Sequence, residues 1–162
     1  MVDLPLRVSS TARRTPVRRA RRVSSEGIEM LRVIKTMRAA REARRFLAEV
    51  KGADGSYRLD EWPETRGGGR GRGARNTRAA VARLRFAQRL TVGFLDPVDD
   101  SVFLTAGLRR LGIPATFHLG RELAPAKPPA GYFAWVQHGD EVVSTSLPVR
   151  DEYIEIHRSG TK

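Results

Sequence analysis

Apolar residues recur along residues 25–50 at spacings of three and four, which is the period of one face of an α-helix. Ser24 and Ser25 precede the segment and Gly52 follows it, so the pattern predicts a capped helix with a defined end. We expect its apolar stripe to pack on the rest of the domain, although a basic amphipathic helix also suits a membrane surface or a partner. The stripe consists of Ile28, Leu31, Ile34, Met37, Ala40, Ala43, Leu47 and Val50.

Two further helices are predicted downstream. Thr77 suits the N-cap of a helix from about Arg78 to Leu90. The third helix starts at Asp99, Asp100 or Ser101, and it ends at Gly112 because Pro114 forbids continuation. The expected inner face of the second helix is Val81, Leu84 and Ala87 with Phe86 or Leu90, and that of the third is Val102, Leu104, Leu108 and Leu111.

The remainder of the chain alternates like strands. We predict a strand at residues 115–119, a hairpin of 132–137 and 141–145 around His138, and a last strand at 153–157. A Pro-rich loop separates the first strand from the hairpin. Since helices precede a small antiparallel sheet, the fold class is α+β.

Composition narrows the function classes. The chain has 162 residues and no cysteine, which excludes disulfides, thiolate metal sites and a cysteine nucleophile. This composition fits a reducing compartment, and we expect a cytoplasmic protein. No apolar run approaches the length of about 20 residues that spans a bilayer, so we expect no transmembrane segment. The three histidines are scattered without metal-ligand spacing, so we expect no metal and no cofactor.

The net positive charge is confined to the first half of the chain. Residues 1–90 hold 23 Lys and Arg against 9 Asp and Glu, whereas residues 91–162 hold 7 against 9. We interpret residues 1–24 as a disordered basic arm and the Arg/Gly-rich stretch at 67–73 as a flexible linker. An Arg-rich half can bind nucleic acid through phosphate contacts, and this remains an alternative function.

The C-terminal half resembles a known family. The matching runs are Ser101-Val-Phe-Leu, Leu108-Arg-Arg-Leu-Gly-Ile-Pro114, Phe133-Ala-Trp-Val-Gln137 and Gly139-Asp-Glu-Val-Val143. They are similar to the lasso-peptide leader-peptidase (B protein) family of the transglutaminase-like, papain-related clan. The resemblance implies a transglutaminase-like core over residues 75–158, with residues 25–74 forming the amphipathic helix and linker before it.

The catalytic triad of that family is absent here. The resemblance places the family's Cys near Pro97, its His at Phe133 and its Asp near Ser144 or Thr145. Proline cannot attack a peptide bond and phenylalanine cannot accept a proton, so the family's cysteine chemistry is excluded. We therefore expect a catalytically silent protein of peptide natural-product (RiPP) maturation that binds a precursor peptide or a biosynthetic partner protein.

Two further expectations follow. The peptide would lie in a cleft between helix 99–111 and hairpin 132–145, with contacts from Pro97, Tyr132, Phe133 and Trp135. As an alternative, Ser101 at the helix start, His118 on the next strand and Asp100 would form a non-cysteine catalytic site. We favour structural roles for these three residues, as helix caps and as a satisfied strand histidine.

Overall fold

The computed structural model describes residues 25–65, 74–125 and 129–160. The basic arm at 1–24 and the Arg/Gly stretch at 67–73 lie outside the described residues. Four helices and four strands follow one another in the described part. They are α1 (Ser25–Val50), α2 (Ala74–Thr91), α3 (Pro97–Arg110), β1 (Thr116–Glu122), β2 (Tyr132–His138), β3 (Glu141–Val142), α4 (Val149–Glu152) and β4 (Tyr153–Ser159).

Helix α3 lies at the centre of the molecule. Its side chains are buried on all sides, and Phe103, Leu104 and Leu108 are fully buried. Ala39 and Ala43 of α1 pack in the same core cluster. The first helix therefore shares one core with the segment after residue 75.

The expected packing of α1 holds for only half of its stripe. Ala40, Ala43, Leu47 and Val50 are buried, whereas Ile28, Leu31, Ile34 and Met37 are exposed. On α2, Val81, Leu84 and Ala87 form the inner face as predicted. Phe86 and Leu90 are 66% and 65% exposed, so the expectation that one of them completes this face is wrong.

The strands form one antiparallel sheet in the order β3-β2-β1-β4. The α+β class is confirmed. Phe117 of β1 and Ala134 of β2 pack in a cluster with Val102 of α3. Since side chains alternate across a strand, His118 and Trp135 point to the opposite face of the sheet.

Helix α3 begins earlier than predicted. Asp96 is its N-cap and accepts hydrogen bonds from the N–H groups of Val98 and Asp99, both at 2.9 Å. Pro97 follows in the first turn, where the missing N–H costs nothing. Four residues between positions 96 and 101 have side chains that can cap a helix, namely Asp96, Asp99, Asp100 and Ser101. The cap is Asp96, which directly precedes Pro97.

Candidate functional site

A cleft of about 940 Å³ opens where the start of α3 meets β2, α2 and the chain after β3. The prediction named only α3 and the hairpin as its walls, whereas α2 forms a third wall. The wall from α3 and the sheet consists of Pro97, Asp100, Ser101, Phe133, Ala134, Val143, Ser144, Thr145 and Ser146. The wall from α2 and its following turn consists of Arg78, Val81, Ala82, Arg85, Phe86, Arg89 and Leu95.

The cleft collects the positions that the resemblance assigns to the missing triad. Pro97, Phe133, Ser144 and Thr145 all line it. Phe133, Ser144 and Thr145 belong to the two sides of one hairpin, which brings them together. Pro97 comes from the start of α3, and its approach to this hairpin depends on the tertiary fold. If the resemblance holds, the position of the absent catalytic triad is in this cleft.

The outer edge of β2 faces this cleft without a strand beside it. Val136 donates its N–H to the hydroxyl of Ser144 (2.9 Å) and accepts the N–H of Val143 (2.9 Å). In an antiparallel ladder, the backbone groups of residues two apart point to the same side. Ala134 therefore points its N–H and C=O toward the cleft, because β3 pairs only with Gln137 and His138.

The α2 wall of the cleft is basic. Arg78, Arg85 and Arg89 share one helix face, since they are spaced by seven and four residues. Arg85 pairs with Asp100 at 2.6 Å and Arg78 with Glu141 at 2.7 Å. Arg89 lies over the ring of Phe94, 5.4 Å from its centroid, and its charge is not offset by an acid within the described chain.

Ser101 lies on the cleft wall and is 2% exposed. Its hydroxyl has no hydrogen-bond partner among residues 25–65, 74–125 and 129–160. The lining residues of the cleft include no histidine or lysine. The one carboxylate, Asp100, is engaged by Arg85. The cleft therefore offers Ser101 no free general base.

His118 belongs to a different cluster, and the structure does not bring it to Ser101. Its Nδ1–H donates to Glu155 Oε2 at 2.7 Å, and its Nε2 accepts from the Thr116 hydroxyl at 2.8 Å. Its ring stacks on Trp135 at 5.5 Å. Both ring nitrogens are occupied, so the Ser101–His118–Asp100 arrangement is not assembled here.

Burial sets the protonation state of that histidine. His118 is 1% exposed, and desolvation lowers its pKa below the ordinary value even though Glu155 acts in the opposite direction. The neutral tautomer with its proton on Nδ1 fits both hydrogen bonds. These are the properties of a satisfied structural histidine.

Two of the four expected contact residues are not in the cleft lining. Pro97 and Phe133 line the cleft, but Trp135 is buried against His118 and Tyr132 is 63% exposed outside the lining. The Trp135 ring lies so close to Gly120 that a Cβ there would be 2.7 Å from ring atom Cζ3. Trp135 is therefore a packing residue of the sheet.

A polar cluster at the start of α3 was not visible in the sequence. Asp99 accepts a hydrogen bond from Lys51 Nζ at 2.7 Å and another from the Tyr57 hydroxyl at 2.5 Å. Burial acts to raise the pKa of Asp99, but these hydrogen bonds outweigh it and hold the pKa below its ordinary value. Burial, with the hydrogen bond to Asp99, raises the pKa of Tyr57 to about 12. The cluster ties the end of α1 to α3.

Residues that could bind a metal do not cluster in the described part of the chain. Within the same residues, no helix is both long and apolar enough to cross a membrane. No protein-family profile, no curated protein and no solved structure matches the chain.

Proposed function

We propose that this protein binds an extended peptide in the cleft between α3 and the hairpin and does not cleave it. The observation that carries this proposal is the edge of β2 at Ala134, whose backbone groups have no partner in the described chain and which lines a cleft without a free base, although Ala134 itself is 3% exposed before a peptide enters. A peptide strand placed there pairs its backbone with Ala134 and extends the sheet by one strand. Backbone pairing supplies affinity, and the cleft walls select the side chains.

The charge of the cleft wall defines the preferred peptide. Arg89 has no acidic partner in the described chain, and Arg78 and Arg85 are each matched by one carboxylate. A peptide with acidic residues on one side of the strand therefore gains charge pairs along α2. Phe86 and Leu95 are apolar contacts on the same wall.

The resemblance suggests the biological setting. We propose a transglutaminase-like core that has lost its triad and acts in the maturation of a peptide natural product of the lasso-peptide kind. In this setting the ligand is a precursor peptide or a partner enzyme that presents an extended segment, and the protein works in the cytoplasm. The convergence of Pro97, Phe133 and Thr145 on one cleft supports this proposal.

The experiment titrates the full chain with fluorescent precursor peptides encoded by the neighbouring genes. We expect saturable binding with Kd in the tens of micromolar or below, and no cleavage of the peptide. Arg89→Glu is expected to weaken binding by roughly tenfold, because a repulsive charge replaces an attractive one. Arg121→Glu, an exposed arginine of β1 outside the cleft lining, is the matched control and should not change the affinity.

A second variant tests the strand-addition geometry. Ala134→Pro removes the N–H that faces the cleft, and an edge position tolerates proline better than a central one. We expect it to reduce the affinity more than Arg89→Glu does. Absent binding, or binding that both variants leave unchanged, contradicts the proposal. Binding of an arbitrary DNA duplex that falls steeply with salt points to the nucleic-acid alternative instead.

A further inference from the structure

A second concave surface, which we call the basic groove, lies across α2 from the cleft. It has a volume of about 680 Å³, and its walls come from α1, α2 and the end of α3. At about 100° per residue, the α2 positions that line the groove lie on the opposite side of the helix from those that line the cleft. The groove positions of α2 are Asn76, Ala79, Ala80 and Arg83. A ligand in the groove therefore leaves the cleft open.

The floor of the basic groove is apolar. Ala39, Ala80 and Ile113 line it and are 3%, 2% and 1% exposed. Leu31 on the α1 wall is 56% exposed. The short alanine side chains leave room for larger apolar side chains of a ligand. The α1 residues of the lining extend over positions 28–42, which is about 21 Å along the helix axis.

The rim of the groove is basic, and three of its five cations are already paired. Arg38 and Arg110 both pair with Glu42, at 3.1 and 3.0 Å, and Arg32 pairs with Glu29 at 2.6 Å. Among the described residues that line the groove, Glu42 is the one carboxylate. These three arginines and two glutamates leave an excess of one positive charge.

Lys35 and Arg83 are the remaining two cations of the rim. They come from facing helices, α1 and α2, and both are exposed. Neither makes an ion pair within the described part of the chain. The rim with its paired acids thus holds five positive charges against two negative ones. An acidic ligand in the groove gains charge pairs with Lys35 and Arg83 without breaking an existing pair.

The charge of the chain disfavours its own segments and a second copy as the occupant. Residues 1–24, 66–73, 126–128 and 161–162 lie outside the described ranges, and together they hold twelve Lys and Arg against one Asp. A second copy of the chain carries a net charge of +12. Each of these would bring positive charge to a positive rim. The occupant that complements the groove is therefore an acidic molecule.

We propose that the basic groove binds an acidic amphipathic helix of a partner protein. Such a helix places its apolar face on the alanine floor and its flanking acids beside Lys35 and Arg83, which is the helix-in-groove mode of recognition. A nucleic acid fits less well, because an apolar floor offers nothing to phosphates. The described lining also includes no aromatic side chain on which a base could stack. This site does not depend on peptide binding in the cleft.

The probe is a fluorescein-labelled peptide of about 15 residues with Leu along one helical face and Glu on both flanks. Fluorescence anisotropy with the full chain should give a Kd in the tens of micromolar, as for a small interface. A peptide of the same composition in scrambled order keeps the charge but loses the apolar face, and it should bind at least about tenfold more weakly. Equal binding of the two peptides overturns the proposal, as does no binding at about 1 mM.

Two matched pairs of variants locate the site. Arg83→Glu should weaken binding roughly tenfold, whereas Arg89→Glu on the same helix should not, because Arg89 lines the cleft instead. Leu31→Glu should weaken binding, whereas Ile34→Glu should not. Ile34 is 57% exposed, much like Leu31, but it lies outside the lining of the groove. Lys35→Glu repeats the Arg83→Glu test from the α1 wall.

Three outcomes contradict this assignment. Equal losses in Arg83→Glu and Arg89→Glu indicate attraction by overall charge. A loss in Arg89→Glu alone places the helical peptide in the cleft, and equal losses in Leu31→Glu and Ile34→Glu place it on another face of α1. If an arbitrary DNA duplex displaces the peptide and its own binding falls steeply with salt, the groove is a nucleic-acid site instead.

Discussion

The cleft at the start of α3 and the His118 cluster differ in how their polar groups are satisfied. In the cleft lining, the Ser101 hydroxyl and the backbone edge of Ala134 have no partner in the described structure, although both residues are almost fully buried. In the cluster, His118 is buried and both ring nitrogens are bonded. Unpaired groups that line a cleft can bond to a ligand that enters it, whereas a buried ring with both nitrogens bonded, such as His118, stabilises a fold. The indole N–H of Trp135 beside that ring is buried without a partner in the described structure. The comparison supports the proposal that the cleft binds a peptide, and it gives the His118 ring a stabilising role.

The sheet itself keeps the two regions apart. Phe117 packs toward α3, and the next residue along the strand points to the other face. A shift of β1 by one residue would exchange these two side chains, but it would also expose Phe117 and bury a polar ring in the main core. The hydrophobic pattern of the strand therefore excludes a catalytic contact between His118 and Ser101.

The largest expected effect is on stability, from His118→Ala. The change leaves a cavity against Trp135 and removes one partner each from Glu155 and Thr116. We expect the free energy of unfolding to fall by about 2–4 kcal/mol. Urea denaturation followed by circular dichroism measures it.

His157→Ala is the control for that measurement, because His157 is an exposed histidine of the neighbouring strand. This substitution should lower the free energy of unfolding by no more than about 0.5 kcal/mol. Equal costs for the two variants would show that the His118 cluster contributes little and would remove the contrast between cluster and cleft.

A smaller effect is expected from pH. Burial lowers the pKa of His118 in the folded state. As the pH falls below about 6.5, the histidine therefore becomes protonated in the unfolded chain before it does so in the folded chain. The free energy of unfolding should therefore decrease between pH 7 and pH 5. His118→Gln has no titrating group there, so its decrease should be smaller. An identical pH dependence in both proteins contradicts this assignment.

Local patterns predicted most of the fold. The helix and strand order follows from apolar periodicity and from the Gly112 stop, both of which act over a few residues. The pattern could not show that the stripe of α1 is buried only in its second half. Burial depends on how far the rest of the molecule extends along the helix, and Ile34 and Leu47 look alike in sequence.

The candidate site was only partly predictable, for the same reason. Pro97 and Phe133 were placed in the cleft from the resemblance, and both line it. Trp135 was expected there too, but its ring is buried against His118. Phe133 lies on the same face of β2 and its ring contacts Tyr153, and it lines the cleft from a position nearer the start of the strand. The partners of Asp99 are Lys51 and Tyr57, which lie more than forty residues away in sequence, so no local signal marks them.

The smallest expected effect comes from Ser101→Ala, and it separates a binding cleft from a catalytic one. Alanine favours helix and the hydroxyl has no partner in the described structure, so the free energy of unfolding should change by less than about 0.5 kcal/mol. Ser144→Ala, in the same cleft, should cost about 1–3 kcal/mol because it leaves the buried N–H of Val136 unpaired. Peptide affinity should be unchanged in Ser101→Ala, since the backbone edge and the arginines remain. The wild type should not hydrolyse peptides or activated esters. Hydrolysis that is lost in Ser101→Ala would identify this serine as a nucleophile. The nucleophile would then need a general base, which the residues that line the cleft do not provide.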